Sequence, residues 1–175
     1  MCCRTTARLL RKAAAAVCML GLTLLTEAWG DRYNDALLKD IQKLLPAVSQ
    51  IKFLSADLTS TRKSKMAEMW NGSVLLGYCV DLEAVSRSGP FRLLVAVSPE
   101  ETILGLALPD YPHKRGRAVR RQGFLDQFKG AAYSKPLKLG DQVDGASGAT
   151  SSANAVTAGV RQALIVVHRQ QSRGK

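Results

Sequence analysis

The stretch SVLLGYCVDLEAVSRSGPFRLLVAVSPEETILGLAL, from Ser73 to Leu108, contains three apolar runs separated by two turn signals. The runs predict strands at Ser73–Leu82, Phe91–Ser98 and Thr102–Leu108, because short apolar segments bounded by Gly, Pro and Ser are typical of strands. SRSGP separates the first two strands, and PEE predicts a tight turn between the second and the third. Consecutive strands joined by such short turns pair antiparallel.

Helical patterns flank this sheet. Apolar residues recur at helical spacing over Ala36–Leu45, whereas the polar and basic residues 55–72 predict a loop. RQGFLDQFKG, residues 121–130, predicts a short helix. The last helix starts at about Ser152 and has an apolar stripe predicted to be buried: Ala153, Val156, Val160, Ala163, Leu164 and Val167. This order predicts one α+β domain, an antiparallel sheet backed by helices.

The first 30 residues read as a targeting segment. Basic residues (Arg4, Arg8, Arg11 and Lys12) precede the apolar run Ala13–Leu25, and the small residues Ala28 and Gly30 suit a cleavage site before Asp31. We expect an exported, periplasmic or extracytoplasmic protein whose residues 1–30 are a signal peptide. The alternative is an uncleaved N-terminal anchor. Residues 31–175 then form the functional domain.

The net charge and the positions of the cysteines and histidines limit the possible classes of function. The formal net charge of +11 indicates acidic partners or anionic surfaces. Export and the lack of aromatic residues among the basic ones argue against nucleic acid. Outside residues 1–30 the sole cysteine is Cys79, in an apolar run, which predicts a buried thiol and excludes an intramolecular disulfide. The two histidines, His113 and His168, belong to no metal-ligand pattern.

The polar stretch DGASGATSS, Asp144–Ser152, directly precedes the last helix. One interpretation is a turn in which Ser151 or Ser152 caps the helix. The other is a phosphate site, because a helix N-terminus leaves N–H groups unpaired and Gly148 lets a ligand approach the backbone. The stretch is not a P-loop, because no lysine follows Gly148. It is not a G-x-S-x-G nucleophile elbow either, because Ala149 stands where the last glycine is required. STRK, residues 60–63, matches S-x-x-K but lacks the companion motifs.

The same stretch resembles the flavinylation motif D-g-x-[ST]-g-A-T of the FMN-binding domain family. This family includes the G subunit of the Rnf electron-transport complex and the C subunit of the sodium-translocating NADH:quinone reductase. The segment from Gly77 to Leu108 is similar to the family's sheet, and FLDQFKG followed by PLKLGDQVDGASGAT is similar to its F-x-x-Q-F-x-G and pre-motif segments. The resemblance covers about residues 70–167.

The resemblance implies that FMN is bound covalently through a phosphoester to Thr150. In the family a separate Mg-dependent flavin transferase makes this bond from FAD. The cofactor-binding residues are then Thr150, Ser147, Gly148, Ala149, Ser151, Asp144 and Gly145. Asp144 either serves the transferase or accepts hydrogen bonds in an Asx turn.

One segment departs from the family. Relatives often have an acidic H-x-E-T-like segment where this chain has HKRGR, residues 113–117. This basic segment is either a solvated loop or a flavin contact. The function implied is electron transfer by a carrier flavoprotein rather than catalysis by a self-contained enzyme. Its partner is a redox protein, either membrane-bound or soluble. The alternative is a non-catalytic, flavin-dependent sensory or assembly domain associated with a membrane redox partner.

Overall fold

The structure is a computed structural model that describes residues 32–54, 64–135, 137–140 and 143–173. The predicted signal segment, residues 1–30, therefore lies outside the described residues. The chain divides into two units after Leu37. Helix α1 covers residues 32–44, of which residues 32–37 belong to the first unit and the rest to the second. The second unit contains the whole sheet and forms one α+β domain, as predicted.

Five antiparallel strands lie side by side in chain order: β1 Gln50–Leu54, β2 Ser64–Asn71, β3 Val74–Ser86, β4 Gly89–Val97 and β5 Ile103–Ala107. The three strands predicted from the apolar runs correspond to β3, β4 and β5. The β3–β4 hairpin is the longest pairing, with Tyr78 opposite Val97 and Ser86 opposite Gly89. The turn of this hairpin, Arg87–Ser88, positions part of the site described below.

The prediction of a loop over residues 55–72 was wrong for its second half, because β2 occupies Ser64–Asn71. Its sequence SKMAEMWN buries Met66, Ala67 and Met69, which do not alternate strictly. The pairing of β2 with β3 shifts register between Met69 and Trp70. Residues 55–63 lie outside the described part of the chain.

The C-terminal helices cover one face of the sheet. A short 3-10 helix at Arg117–Arg120 and helix α2, Gln122–Asp126, precede the long helix α3, Thr150–Arg173. Helix α3 packs on β3 and β4, and every residue of its predicted apolar stripe is buried. Gly159 allows this close packing, since a Cβ there would lie 2.6 Å from Leu93 Cδ2.

The opposite face of the sheet carries a buried ion pair. Arg92 Nη2 lies 2.9 Å from a carboxylate oxygen of the buried Asp81, and Arg92 Nη1 lies 3.3 Å from Asp40 in α1. Leu44, also in α1, lies over Gly105 of β5. Residues of β4 are thus buried on both faces, which places the end of the β3–β4 hairpin at a fixed position beside α3.

Candidate functional site

The start of helix α3 forms the centre of the site. The turn before it contains Gly148 in the left-handed region, with φ 71°, and the N–H of Ala149 donates to the carbonyl of Ala146 over 2.8 Å. Thr150 is the first helical residue and is exposed. The N–H groups of the first helical turn have no helical acceptor, and the helix dipole places a partial positive charge there.

The hydroxyl groups of the motif have two different roles. The Ser151 hydroxyl accepts a hydrogen bond of 2.8 Å from the backbone N–H of Arg87 in the hairpin turn. The buried Ser152 hydroxyl lies 2.8 Å from the hydroxyl of Tyr111. Among the described residues, the hydroxyls of Thr150 and Ser147 have no hydrogen-bond partner, and both residues are exposed. Two hydroxyls therefore fix the helix in place and two remain available.

This arrangement corrects the capping interpretation. Neither Ser151 nor Ser152 caps helix α3, because the helix begins before both of them, at Thr150. Their side chains bind the hairpin turn and the loop before the 3-10 helix instead. The first N–H groups of the helix are thus left for a ligand or for water.

An open groove of about 530 Å³ lies between the end of strand β3 and the first turns of α3. Its polar lining comes from the residues of the helix start and the hairpin turn: Arg87, Thr150, Ser151 and Asn154. Its apolar lining comes from Val85, Ala155 and Ala158. Val85 is 49% exposed and contributes apolar surface to the groove that Thr150 also lines.

Arg87 is the functional residue that sequence reasoning missed. It follows β3 in the hairpin turn, and it lines the groove together with Thr150. In the described part of the chain it forms no ion pair. A guanidinium beside the positive end of a helix suits a phosphate, which it binds through charge-assisted hydrogen bonds. The only sequence signal was a basic residue in a tight turn, and its approach to residue 150 arises from the tertiary fold.

The remaining predicted residues lie along the segment that leads into the helix. Asp144 is exposed, and its backbone N–H donates to Gln127 Oε1 over 2.6 Å. Its carboxylate has no partner among the described residues, so an Asx turn is not formed here. Thr150 and Ser151 line the groove, and Gly148 and Ala149 adjoin them in the chain. The structure does not bring Asp144, Gly145 or Ser147 into the groove lining.

The basic segment passes close to the start of α3. The Tyr111 hydroxyl donates to the carbonyl of Arg115 over 2.9 Å and also contacts Ser152. Gly116 has φ 78°, and a Cβ there would overlap both Ser152 Oγ and the Tyr111 hydroxyl. His113 Nε2 lies 2.8 Å from the carbonyl of Pro90 at the start of β4. The segment is therefore bound at both the hairpin and the helix.

Other reactive groups lie outside this site. Cys79 is buried, as predicted, and burial together with the nearby Asp81 carboxylate raises the pKa of its thiol well above the ordinary value. His168 pairs with Glu101 over 2.8 Å and stacks on Tyr133. The described residues contain no group of His, Cys, Asp and Glu able to hold a metal ion. No helix within the described ranges has both the length and the apolar character needed to cross a membrane.

Comparison with known proteins agrees with the resemblance seen in the sequence. The family model of the FMN-binding domain matches residues 87–165, a range that begins in the β3–β4 turn and ends within α3. It includes the whole motif and Arg87. No curated protein matches the chain.

Proposed function

We propose, from the match of residues 87–165 to the family model of the FMN-binding domain, that the chain is an exported flavoprotein that holds FMN covalently at Thr150 and transfers electrons. The observation that carries the proposal is the Thr150 side chain. It is exposed, has no hydrogen-bond partner among the described residues, and stands at the edge of an open groove on a helix N-terminus. A hydroxyl that must become a phosphoester needs this combination of access and nearby phosphate-binding groups.

The attachment reaction is the one that the family resemblance implies. The Thr150 Oγ1 atom would form a bond to the phosphorus of the FMN half of FAD, with the pyrophosphate bond broken and AMP released. The hydroxyl proton would pass to a base of the transferase or to water. Thr150 contributes the nucleophilic oxygen, and the free N–H groups of the first helical turn favour the phosphate at that position.

The groove supplies the other contacts that a flavin requires. The Arg87 guanidinium balances the negative charge of the phosphodiester. Val85, Ala155 and Ala158 offer an apolar surface for a flat ring, and the Asn154 amide offers hydrogen bonds to a polar edge. Ligand sites of about 300–1,000 Å³ with mixed lining are typical of cofactors. When bound, FMN supplies the electron-accepting and electron-donating chemistry, and these residues bind and orient it.

The test is intact-mass analysis of the chain co-expressed with a flavin transferase. We expect a mass gain of one FMN residue and fluorescence in a denaturing gel for the wild type and for Ser172→Ala, and neither signal for Thr150→Ala. Ser172→Ala is the matched control, because Ser172 is also an exposed hydroxyl residue of α3 but lies outside the motif, near the end of the helix. Retained fluorescence in Thr150→Ala with loss in Ser151→Ala would move the attachment by one residue.

Export and partners belong to the same proposal. The basic and apolar character of residues 1–30 supports a signal peptide or anchor. A redox partner protein, either membrane-bound or soluble, then exchanges electrons with the flavin outside the cytoplasm. N-terminal sequencing of the mature protein should give Asp31 or, for an anchored form, a membrane-bound product beginning near Met1. A soluble cytoplasmic product beginning at Met1 would contradict export.

A further inference from the structure

We propose that the basic side chains around the groove are the docking surface for an acidic protein redox partner, an inference that rests on the proposed electron-transfer function. We call these side chains the basic rim: Arg87, Lys114, Arg115 and Arg117. All four residues are exposed. They come from two segments that the fold brings to the start of α3: the β3–β4 turn, which contains Arg87, and the segment that leads into the 3-10 helix and includes its first residue, Arg117.

The positions of the rim residues are set by contacts of their backbone. The N–H of Arg87 donates to Ser151 Oγ, next to Thr150. The carbonyl of Arg115 accepts a hydrogen bond from the Tyr111 hydroxyl, which also contacts Ser152. This buried hydroxyl therefore links the backbone at Arg115 to the start of α3. These bonds fix the backbone of the rim segments at the start of α3, in contrast to a flexible basic tail.

The rim has little charge compensation within the protein. The ion pairs between described residues involve other cations, namely Lys43, Arg92, Lys129 and His168. The loop between β5 and the 3-10 helix contains one acidic residue, Asp110, which forms no ion pair in the described part of the chain. The positive end of the α3 dipole adds to the same field. The four rim residues therefore form a cluster of exposed cations at the start of α3, without an ion pair among the described residues.

Charge complementarity identifies the occupant as an acidic protein. Opposite charges at the periphery of an interface raise the association rate and orient the encounter while leaving the complex short-lived, which suits a carrier that must meet and leave its partner. Docking of a protein over the rim would bring its redox centre to the groove. A membrane lying on the rim would instead cover the groove with lipid headgroups and exclude protein partners from it.

The test uses a plant-type [2Fe–2S] ferredoxin, a small acidic one-electron carrier, as the probe. The rim variant is Lys114→Gln, Arg115→Gln and Arg117→Gln together. The matched control is Arg161→Gln, Arg169→Gln and Arg173→Gln, which removes the same charge from exposed residues farther along α3. Two readouts are needed: binding of oxidised ferredoxin to the unflavinylated Thr150→Ala protein, and reduction of the FMN-loaded protein by reduced ferredoxin. Two ferredoxins supply the two electrons of full reduction, and protons come from solvent.

At low salt we expect the rim variant to weaken binding and slow reduction by about tenfold or more, with the control within about twofold. The difference should shrink at high salt. Reduction by photoreduced deazariboflavin, a neutral and strong reductant, should stay within about twofold in all three proteins. Equal losses in the rim and control variants would overturn the proposal, since net charge alone would then act.

A membrane occupant has its own outcome. Sedimentation with phosphatidylglycerol vesicles that depends on the rim, together with ferredoxin binding that does not, would also overturn the proposal. Failure of the proposed function is distinguishable, because it would appear as a lack of FMN attachment or of reduction by deazariboflavin. Binding of ferredoxin to the Thr150→Ala protein is measured independently of both.

Discussion

The hydroxyl of Tyr111 and Oγ of Ser152 lie 2.8 Å apart, and the direction of this hydrogen bond is determined by a third group. Tyr111 donates its single proton to the carbonyl of Arg115, so it can only accept from Ser152. The Ser152 hydroxyl is therefore committed as a donor to a buried partner. This bond joins the basic loop to the attachment helix, and both side chains are buried.

Two glycines near this bond should respond differently to the same substitution. Gly116 and Gly148 both have positive φ, 78° and 71°, so alanine at either costs about 1–2 kcal/mol of backbone strain. A Cβ at Gly116 also overlaps Ser152 Oγ and the Tyr111 hydroxyl, whereas a Cβ at Gly148 meets nothing within 4 Å. In urea unfolding, Gly116→Ala should therefore lower the free energy of unfolding by about 1–3 kcal/mol more than Gly148→Ala. Equal losses would mean that the loop moves away from the helix at little cost.

The hydrogen bond from the Asp144 N–H to Gln127 connects helix α2 with the segment before α3. Gln127→Leu removes the acceptor and should lower the free energy of unfolding by about 0.5–1.5 kcal/mol. It should also reduce the fraction of protein that gains FMN, because the segment leading to Thr150 is less well held. Gln127→Glu keeps an acceptor oxygen and serves as the control. Mass spectrometry at limiting transferase gives the fraction, and identical fractions for both variants would contradict the prediction.

The buried thiol predicts a loss of stability at alkaline pH. Burial raises the pKa of Cys79, and the Asp81 carboxylate adds to the rise. The unfolded thiol ionises above about pH 8.5, whereas the folded thiol stays protonated, so rising pH favours the unfolded state. Relative to Cys79→Ala, whose packing cost does not vary with pH, the wild type should lose about 1.4 kcal/mol per pH unit above about pH 9. Urea unfolding of both proteins from pH 7 to pH 10 measures this difference, and a constant difference would contradict it.

The basic segment should raise the reduction potential of the attached flavin. Reduced FMN carries a negative charge on its ring, and the positive charges of Lys114, Arg115 and Arg117 would stabilise it. Changing all three to Gln should lower the midpoint by an amount on the order of tens of millivolts at low salt, and by less at high salt. Redox titration of both proteins tests this. Identical midpoints at low salt would show that these side chains lie away from the ring.

The sequence predicted the elements whose pattern is local. Strands β3 to β5 came from apolar runs between turn residues, and the buried stripe of α3 came from its spacing. Strands β1 and β2 were missed. In SKMAEMWN the charged residues Lys65 and Glu68 interrupt any apolar run. The adjacent residues Met66 and Ala67 are both buried, so the segment does not alternate strictly either. Its pairing with β3 decides its structure.

The site was predictable in its motif and unpredictable in its partners. The resemblance pointed to Thr150 and to the family, and the family model of the FMN-binding domain matches residues 87–165. The separate tasks of Ser151 and Ser152 and the approach of Arg87 depend on side chains from distant segments. A single sequence carries no signal for such contacts, because one hydroxyl-rich turn serves equally as a cap, as an anchor or as a ligand site.

The hydrogen bond between Arg87 and Ser151 joins residues 64 positions apart in the chain. Closing a loop of this length has a cost in chain entropy, so this contact depends on the docking of two distant segments. During synthesis the β3–β4 hairpin emerges well before the segment that contains Thr150. The groove therefore does not exist in a nascent chain that ends before α3, and it forms only when the hairpin and the helix have docked. Flavin attachment that requires this groove would therefore mark only those molecules in which the hairpin and the helix have already docked.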